Sequence, residues 1–282
     1  MQRPVGWAQA PVALACFAAS AGVNEAAAST PTSTMVAINV LRMKQPPFIR
    51  GGKFPIIATC RQPQCKRDES AMSLPDPPLL LVTDRAQARR PLPEIVAAAL
   101  ASGCRWVSLR EKDLPEDEQV PLFRGLLPLA HRHGAQLVLH GEAALAKLAG
   151  ADGVHLPAGS DAAAARARLG AGKLIGVSIH TVTEAEAIDP HAVDYALAGP
   201  AFETPSKPGY GPEIGRKGLI EIARASRVPV LAIGGINTAR VGEVIAAGCA
   251  GVAVMGGVMR APDPALEVSA LIATLKGYPR AE

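Results

Sequence analysis

The chain has 282 residues, about half of them apolar and few of them aromatic, with a formal net charge of +4. The positive charge lies in residues 1–71, which carry a net +5, whereas residues 72–282 carry a net −1. The sequence therefore lacks the basic stripe of a nucleic-acid-binding protein. An odd number of cysteines in so long a chain argues against a disulfide framework, and no apolar run is long enough to span a membrane.

Residues 1–71 differ in composition from the rest of the chain. They mix Pro, Ser, Thr, Gly and charged residues without a helical or strand period, which predicts a disordered N-terminal extension. The first residues loosely imitate a secretory signal, but Pro and Gln interrupt their apolar run. We therefore expect one folded domain over residues 72–282 and a cytoplasmic location.

Short apolar runs recur along the domain at intervals of about 20 to 30 residues. They lie at residues 79–84, 106–110, 136–141, 153–157, 174–180, 195–202, 229–235 and 251–257. Most are continuously apolar, which is typical of parallel strands covered on both faces, and Ala- and Leu-rich helical stretches separate them. Eight strands alternating with helices predict an α/β fold, a closed (β/α)8 TIM barrel. A doubly wound open sheet is the alternative, but the glycine fingerprint expected after its first strand is missing.

The boundaries of the helices support this assignment. Gly precedes a small residue and then a strand in ASGCRWVSL, LAGADGVHL and AAGCAGVAV, which predicts left-handed helix ends. Thr181 and Glu184 form a T-x-x-E capping box that opens a helix after the fifth strand. Cys104 and Cys249 are predicted to pack in the core.

In such barrels the functional residues lie at the carboxyl ends of the strands. Polar, charged and glycine residues follow these ends, and they are the predicted site residues. Those predicted to contact substrate are Arg110, Lys112, His140, Ser178, His180, Thr204, Ser206 and Lys207, and those predicted to bind phosphate are Gly234, Gly235, Gly256 and Gly257.

These residues predict a small anionic ligand and proton-transfer chemistry. Glycines after the last two strands let backbone N–H groups approach a phosphate, and Arg110 can bind an anion through two hydrogen bonds. No strand end offers a pair of carboxylates for Mg²⁺, and His140 and His155 lack an acidic partner for a transition metal. His180 is the best-placed base, because an imidazole titrates near neutral pH.

The strand-end motifs resemble those of the thiamine phosphate synthase/TenI family. Over roughly residues 79–277 the matching pieces are LVTDR, LREK, GADGVHL, IGVSIHTVTEAEA, DYALAGPAFETPSKPG, PVLAIGGI and GVAVMGGV. The resemblance implies a TIM barrel that acts on a phosphorylated thiazole in thiamine biosynthesis.

The family has two activities, and departures from its motifs bear on the choice between them. Synthases join a pyrimidine diphosphate to a thiazole phosphate with Mg²⁺, whereas TenI-type tautomerases shift a proton on the thiazole without a metal. Ser108 replaces the Gln of the synthase motif Q-x-R-E-K, and His140-Gly141 replaces a metal-binding Asn-Asp. Ser160 stands where synthases carry a second metal-binding Asp, and Asp161 is one residue late.

The resemblance therefore favours a metal-independent thiazole tautomerase, an isomerase in which His180 is the base. A thiamine phosphate synthase, a transferase that would use Mg²⁺, is the alternative. A non-catalytic phosphate-binding regulator is the third interpretation. In each case we expect a small phosphorylated thiazole as ligand and neither nucleic acid nor membrane as partner. Small barrels of this kind often pair, so a homodimer is a candidate assembly.

Overall fold

The computed structural model describes residues 73–204, 206 and 212–278. The predicted extension over residues 1–71 lies outside this range. The strands are β1 Leu79–Val82, β2 Trp106–Leu109, β3 Gln136–His140, β4 Gly153–Leu156, β5 Leu174–Ile179, β6 Tyr195–Ala198, β7 Val230–Ile233 and β8 Gly251–Val254. The helices are α1 Leu92–Ala101, α2 Glu116–Arg132, α3 Ala143–Ala149, α4 Ala162–Leu169, α5 Val182–Glu186, α6 Gly215–Ala225, α7 Thr238–Ala246, α8 Gly256–Met259 and α9 Pro264–Lys276, and a 3-10 turn covers Arg85–Gln87.

The eight strands form one closed parallel barrel in sequence order. The last strand pairs with the first, so that Leu79 lies opposite Val252. This confirms the predicted TIM barrel. Each strand ends one to four residues before its predicted apolar run does, because the last residues of the run turn into the loops that form the barrel mouth.

Two apolar layers hold the barrel together. The larger layer lies between strands and helices, and a smaller cluster fills the interior around Trp106 and Tyr195. These two rings pack edge to face with their centroids 4.6 Å apart. Gly176 on β5 leaves room for the phenol, since a Cβ there would lie 2.0 Å from the Tyr195 ring. The bottom of the barrel is therefore a packed core.

The predicted helix boundaries are also present. Gly150 ends α3 in the left-handed conformation, with a φ of 74°. The hydroxyl of Thr181 and the carboxylate of Glu184 form the predicted capping box at the start of α5. Cys104 and Cys249 are buried, as expected, and burial raises the pKa of the Cys104 thiol to about 11.

Two aspartates bind backbone N–H groups at the amino ends of strands. Asp152, just before β4, accepts a hydrogen bond from Leu137 N at 2.9 Å. Asp194, just before β6, accepts one from Ile175 N and one from Arg166 Nη2, both at 2.7 Å. Each carboxylate thus holds the start of one strand against its neighbour, at the end of the barrel opposite the mouth. Among the described residues, no helix combines the length and the apolar character needed to cross a bilayer.

Candidate active site

A cavity of about 390 Å³ opens at the carboxyl ends of the strands. Its floor is apolar, with Leu80, Val82, Leu197 and Ala253 among its residues. Ten of the predicted site residues line it and are thereby brought together. They are Arg110, His140, Ser178, His180, Thr204, Ser206, Gly234, Gly235, Gly256 and Gly257.

Two predicted cationic residues are not part of this lining. Lys112 is exposed and lies outside the cavity, although partial burial and the nearby charge of Arg110 lower the pKa of its ammonium group. Lys207 lies outside the described residues. Of the charged cluster predicted at the end of β2, only Arg110 therefore contributes a side chain to the cavity wall.

Arg110 is positioned by hydrogen bonds between the ends of β1 and β2. Its backbone N–H donates to Thr83 Oγ1 at 2.9 Å, and the Thr83 hydroxyl donates to Glu111 Oε1 at 2.5 Å. Glu111 also accepts from Arg85 N at 2.8 Å, and burial raises the pKa of its carboxyl despite these bonds. The backbone of Arg110 is thus fixed at the cavity wall, and the one carboxylate within 4.0 Å of its guanidinium among the described residues is Asp84, at 3.9 Å from Nη1.

His180 has a defined ring orientation. Its Nδ1 lies 2.5 Å from the Gly199 carbonyl oxygen, which can only accept, so Nδ1 carries the proton. In the neutral ring the lone pair is then on Nε2. The backbone N–H of His180 donates to Glu184 Oε2, the carboxylate of the capping box. The start of α5 and the loop after β6 therefore both hold His180 at the cavity wall.

His155 on β4 is a buried member of the cavity wall that was not among the predicted site residues. Its Nε2 lies 2.9 Å from Ser178 Oγ and its Nδ1 lies 3.2 Å from the Tyr195 hydroxyl. Burial lowers the pKa of this imidazole to about 3. The ring is therefore neutral near pH 7, and it links the barrel core to the Ser178 hydroxyl in the cavity.

This burial predicts a pH dependence of stability. Between pH 6.5 and about 3 the unfolded chain binds a proton at His155 and the folded chain does not. The folded chain therefore has the full stabilising contribution of the neutral His155 ring above pH 6.5. This contribution is lost as the pH falls from there towards 3. From pH 7 to pH 5 the wild type should lose about 2 kcal/mol more unfolding free energy than His155→Gln, as measured by urea denaturation. Equal losses in the two proteins would contradict the prediction.

Two cavity arginines were missed by the sequence analysis. Arg240 lies in the first turn of α7, with its guanidinium carbon 4.1 Å from the centre of the Phe202 ring. Arg260 follows α8 and donates from Nη1 to Gln87 Oε1 and, at 3.2 Å, to Ser206 Oγ. Both lie about one helical turn after a predicted phosphate-binding glycine pair. That spacing was the signal in the sequence that could have identified them.

The acidic residues of the cavity do not fit a magnesium ion held by protein carboxylates. Mg²⁺ favours carboxylate and water oxygens in octahedral geometry. The last residue of β3 is His140, whose ring centroid is 5.0 Å from that of His155. Asp161 Oδ1 accepts from Ala164 N at 2.9 Å and caps α4. Glu203 is the one carboxylate in the described lining, and the described residues hold no cluster of three candidate ligands.

Comparison with known proteins identifies relatives over the whole barrel. The family model for thiamine monophosphate synthase matches residues 79–258. A putative thiamine-phosphate synthase from Geobacter sulfurreducens is 44% identical over 206 residues, which cover 72% of this chain and 97% of the relative. The thiamine-phosphate synthase of a Roseiflexus species is 42% identical, over 69% of this chain and 84% of its own. The structure of a thiamine phosphate pyrophosphorylase from Pyrococcus furiosus matches with a TM-score of 0.63 and 30% identity, over 71% of this chain and 95% of its own.

These relatives contradict the predicted tautomerase and isomerase activity. Relatives of 35% to 44% identity carry the name of the synthase, and so favour the transferase alternative. The tautomerase prediction assumed that a diphosphate needs the two missing metal-binding carboxylates. It did not include the guanidiniums of Arg240 and Arg260, which the fold brings to the same cavity. Because the family model matches residues 79–258 and the chain covers 97% of the Geobacter relative, the chain belongs to the thiamine monophosphate synthase family.

Proposed function

We propose that the chain is a thiamine-phosphate synthase, a transferase that joins a pyrimidine diphosphate to a thiazole phosphate. The observation that carries this proposal is one cavity with anion-binding groups on two sides. Gly234, Gly235 and Arg240 follow β7, whereas Arg110 follows β2 and Arg260 follows β8. Two phosphorylated substrates need two such sites, and a shared cavity brings their reactive carbons and nitrogens together.

The thiazole phosphate is assigned to the β7 and β8 loops. Gly234 and Gly235 both have positive φ, and their backbones face the cavity together with Gly256 and Gly257. Backbone N–H groups at such turns bind phosphate oxygens. Arg240 adds a guanidinium held against Phe202. This assignment keeps the phosphate-binding role predicted from the sequence and adds one cation to it.

The diphosphate is assigned to the adjoining part of the mouth, between the end of β2 and the loop after β6. Arg110 is the central cation there, and the loop after β6 contributes the hydroxyls of Thr204 and Ser206. Lys112 and Lys207 stay predictions as further contacts to the substrate. As the C–O bond to the diphosphate breaks, the leaving group takes the electron pair, and the thiazole nitrogen forms the new C–N bond. Hydrogen-bond donors aimed at the leaving oxygens lower the barrier because negative charge accumulates on them.

This reaction changes the role expected of His180. Neither the bond that breaks nor the bond that forms requires a base, so His180 acts by positioning. Its Nε2 lone pair can accept a hydrogen bond from the amino group of the pyrimidine, while Ser178 and His140 line the same wall. A cytoplasmic location, a homodimeric assembly and independence of a protein-held cofactor stay predictions.

The test is a coupling assay with the purified full chain, pyrimidine methyl diphosphate and thiazole phosphate. We expect thiamine phosphate and one equivalent of diphosphate to form only when both substrates are present, measured by chromatography. Ligand binding without turnover would contradict the proposal and favour the non-catalytic regulator.

A His180→Asn variant separates positioning from base catalysis. The Asn amide can still donate a hydrogen bond to the Gly199 carbonyl oxygen, but the ring nitrogen Nε2 and its lone pair are lost. We expect kcat/KM to fall about tenfold, as for one lost hydrogen bond, with an unchanged pH profile. Loss of an essential base would instead lower the rate by about 10²- to 10⁴-fold. It would also abolish one limb of the pH–rate profile.

A further inference from the structure

Apart from Glu203, which lines the cavity, the carboxylates around the mouth are engaged within the fold. Asp84 Oδ2 accepts from Gln87 Nε2 at 2.6 Å, and Glu111 accepts from the end of β1. Asp161 caps α4, and Glu184 accepts from the backbone at the start of α5. Residues 205 and 207–211, which complete the loop after β6, contain neither Asp nor Glu. A magnesium ion bound to Glu203 would have to compete with these hydrogen bonds for any second carboxylate ligand.

The cations of the mouth, in contrast, lack close acidic partners. Among the described residues no carboxylate oxygen lies within 4.0 Å of the Arg260 guanidinium, whose partners Gln87 and Ser206 are neutral. The nearest carboxylate to Arg110 is Asp84, at the limiting distance of 3.9 Å. Both arginines are largely shielded from bulk water and line the cavity. A partly buried charge is costly when its counter-ion is distant, as for Arg110, or absent within 4.0 Å among the described residues, as for Arg260, so these two guanidiniums favour an anionic ligand.

The two guanidiniums belong to one hydrogen-bonded cluster. Arg260 donates to Gln87, Gln87 donates to Asp84, and Asp84 faces Arg110. The cluster therefore joins the ends of β8, β1 and β2 across the mouth. Its members hold each other in position, which reduces the entropy that would be lost when an anion binds.

Gly256 allows Arg260 and the β6 loop to approach each other. A Cβ at this position would lie 2.3 Å from Ser206 Oγ and 2.5 Å from Arg260 Nη1. The Ser206 hydroxyl also donates to Gln87 Oε1 at 3.0 Å. The missing side chain at residue 256 thus lets a serine of the loop and an arginine of the barrel lie over the same edge of the cavity.

We propose that Arg110 and Arg260 neutralise the diphosphate leaving group in place of a magnesium ion held by protein carboxylates. The inference rests on the proposed synthase function. A diphosphate carries more charge than the thiazole monophosphate and spans more oxygens, so it fits two guanidiniums and the Ser206 hydroxyl. The monophosphate is left to Gly234, Gly235 and Arg240, on the β7 side of the cavity.

The test is calorimetric titration of the full chain with inorganic pyrophosphate, once in EDTA and once in excess Mg²⁺. We expect the dissociation constant in EDTA to be as low as, or lower than, that in Mg²⁺. Arg260→Gln should weaken pyrophosphate binding about tenfold or more, and orthophosphate binding much less. Arg90→Gln is the matched control, because Arg90 is exposed, donates to Pro262 O at the same end of the barrel and lies outside this cavity.

Two results would overturn the inference. One is pyrophosphate binding that Mg²⁺ tightens by about tenfold or more. The other is equal affinity of the wild type and Arg260→Gln. If thermal unfolding shows that Arg260→Gln is not folded, the same comparison is made with Arg260→Lys, which keeps the charge but loses the planar fork and should lose part of the affinity.

The outcome is independent of the coupling assay. The protein could bind pyrophosphate without metal, in a manner that requires Arg260, and yet show no turnover. That result would contradict the synthase function and leave the guanidinium site intact. Turnover together with Mg²⁺-dependent pyrophosphate binding would contradict only the guanidinium site.

Discussion

Replacing Arg110 with Gln should lower kcat/KM for the coupling reaction by about 10²- to 10³-fold, the usual cost of removing one fixed donor to a developing negative charge. Its side chain is 15% exposed and its nearest described carboxylate is 3.9 Å away, so its charge is little screened. The backbone bond to Thr83 fixes the end of β2 whatever side chain is present. The loss should therefore appear in kinetics and not in stability, as measured by initial rates and urea denaturation.

Arg85→Gln is the control for this substitution. Arg85 is on the same rim, but its side chain is 44% exposed and pairs with Asp113 at 2.8 Å outside the cavity. Exposed ion pairs contribute about 0–1 kcal/mol, so its kcat/KM should change less than about fivefold. Similar losses in both variants would mean that the general charge of the rim, and not the position of Arg110, determines the rate.

The largest expected effect on stability is that of Gly176→Ala. The added methyl group would lie 2.0 Å from the Tyr195 ring, which is fully buried and packed against Trp106. Neither the strand nor the ring can move far in a closed barrel. We expect the unfolding free energy to fall by at least about 3 kcal/mol, at the upper end of the range for overpacked cores. Urea denaturation measures the loss.

Two further variants make this prediction specific. Gly125→Ala, in α2, adds a methyl group with no atom within 4 Å and should stabilise the protein by about 0.5–1 kcal/mol. In a Tyr195→Leu background the same Gly176→Ala change should cost much less, because the ring that it would contact is gone. If Gly176→Ala lowers the unfolding free energy by the same amount in that background, the strain arises from the backbone of β5 and not from the Tyr195 ring.

The fold could be predicted because its signals are local. Each strand is a short apolar run, and glycines such as Gly150 mark helix ends in the sequence itself. The Thr181–Glu184 capping box is likewise contained within four residues. The end of β6 could not be predicted, because residues that leave the sheet after it, such as Pro200 and Phe202, are as apolar as those that stay.

The site was predicted less completely because its contacts join distant parts of the chain. Residues directly at strand ends, such as Arg110 and His180, were found from position alone. Arg240 and Arg260 reach the cavity from the helices beyond the glycine loops, and their distance from any strand end hid them. The expected activity, which the names of the relatives contradict, was inferred from the missing carboxylates without these two guanidiniums.

The two aspartates at the amino ends of β4 and β6 have a consequence for how this barrel can diverge. Asp152 and Asp194 tie the beginnings of neighbouring strands together, far from any substrate. For these two strand pairs, register is therefore fixed in part at the end that lies away from the cavity. The side chain at the cavity end of β3, that of His140, can accordingly be changed to suit a different ligand with a smaller effect on the pairing of β3 with β4.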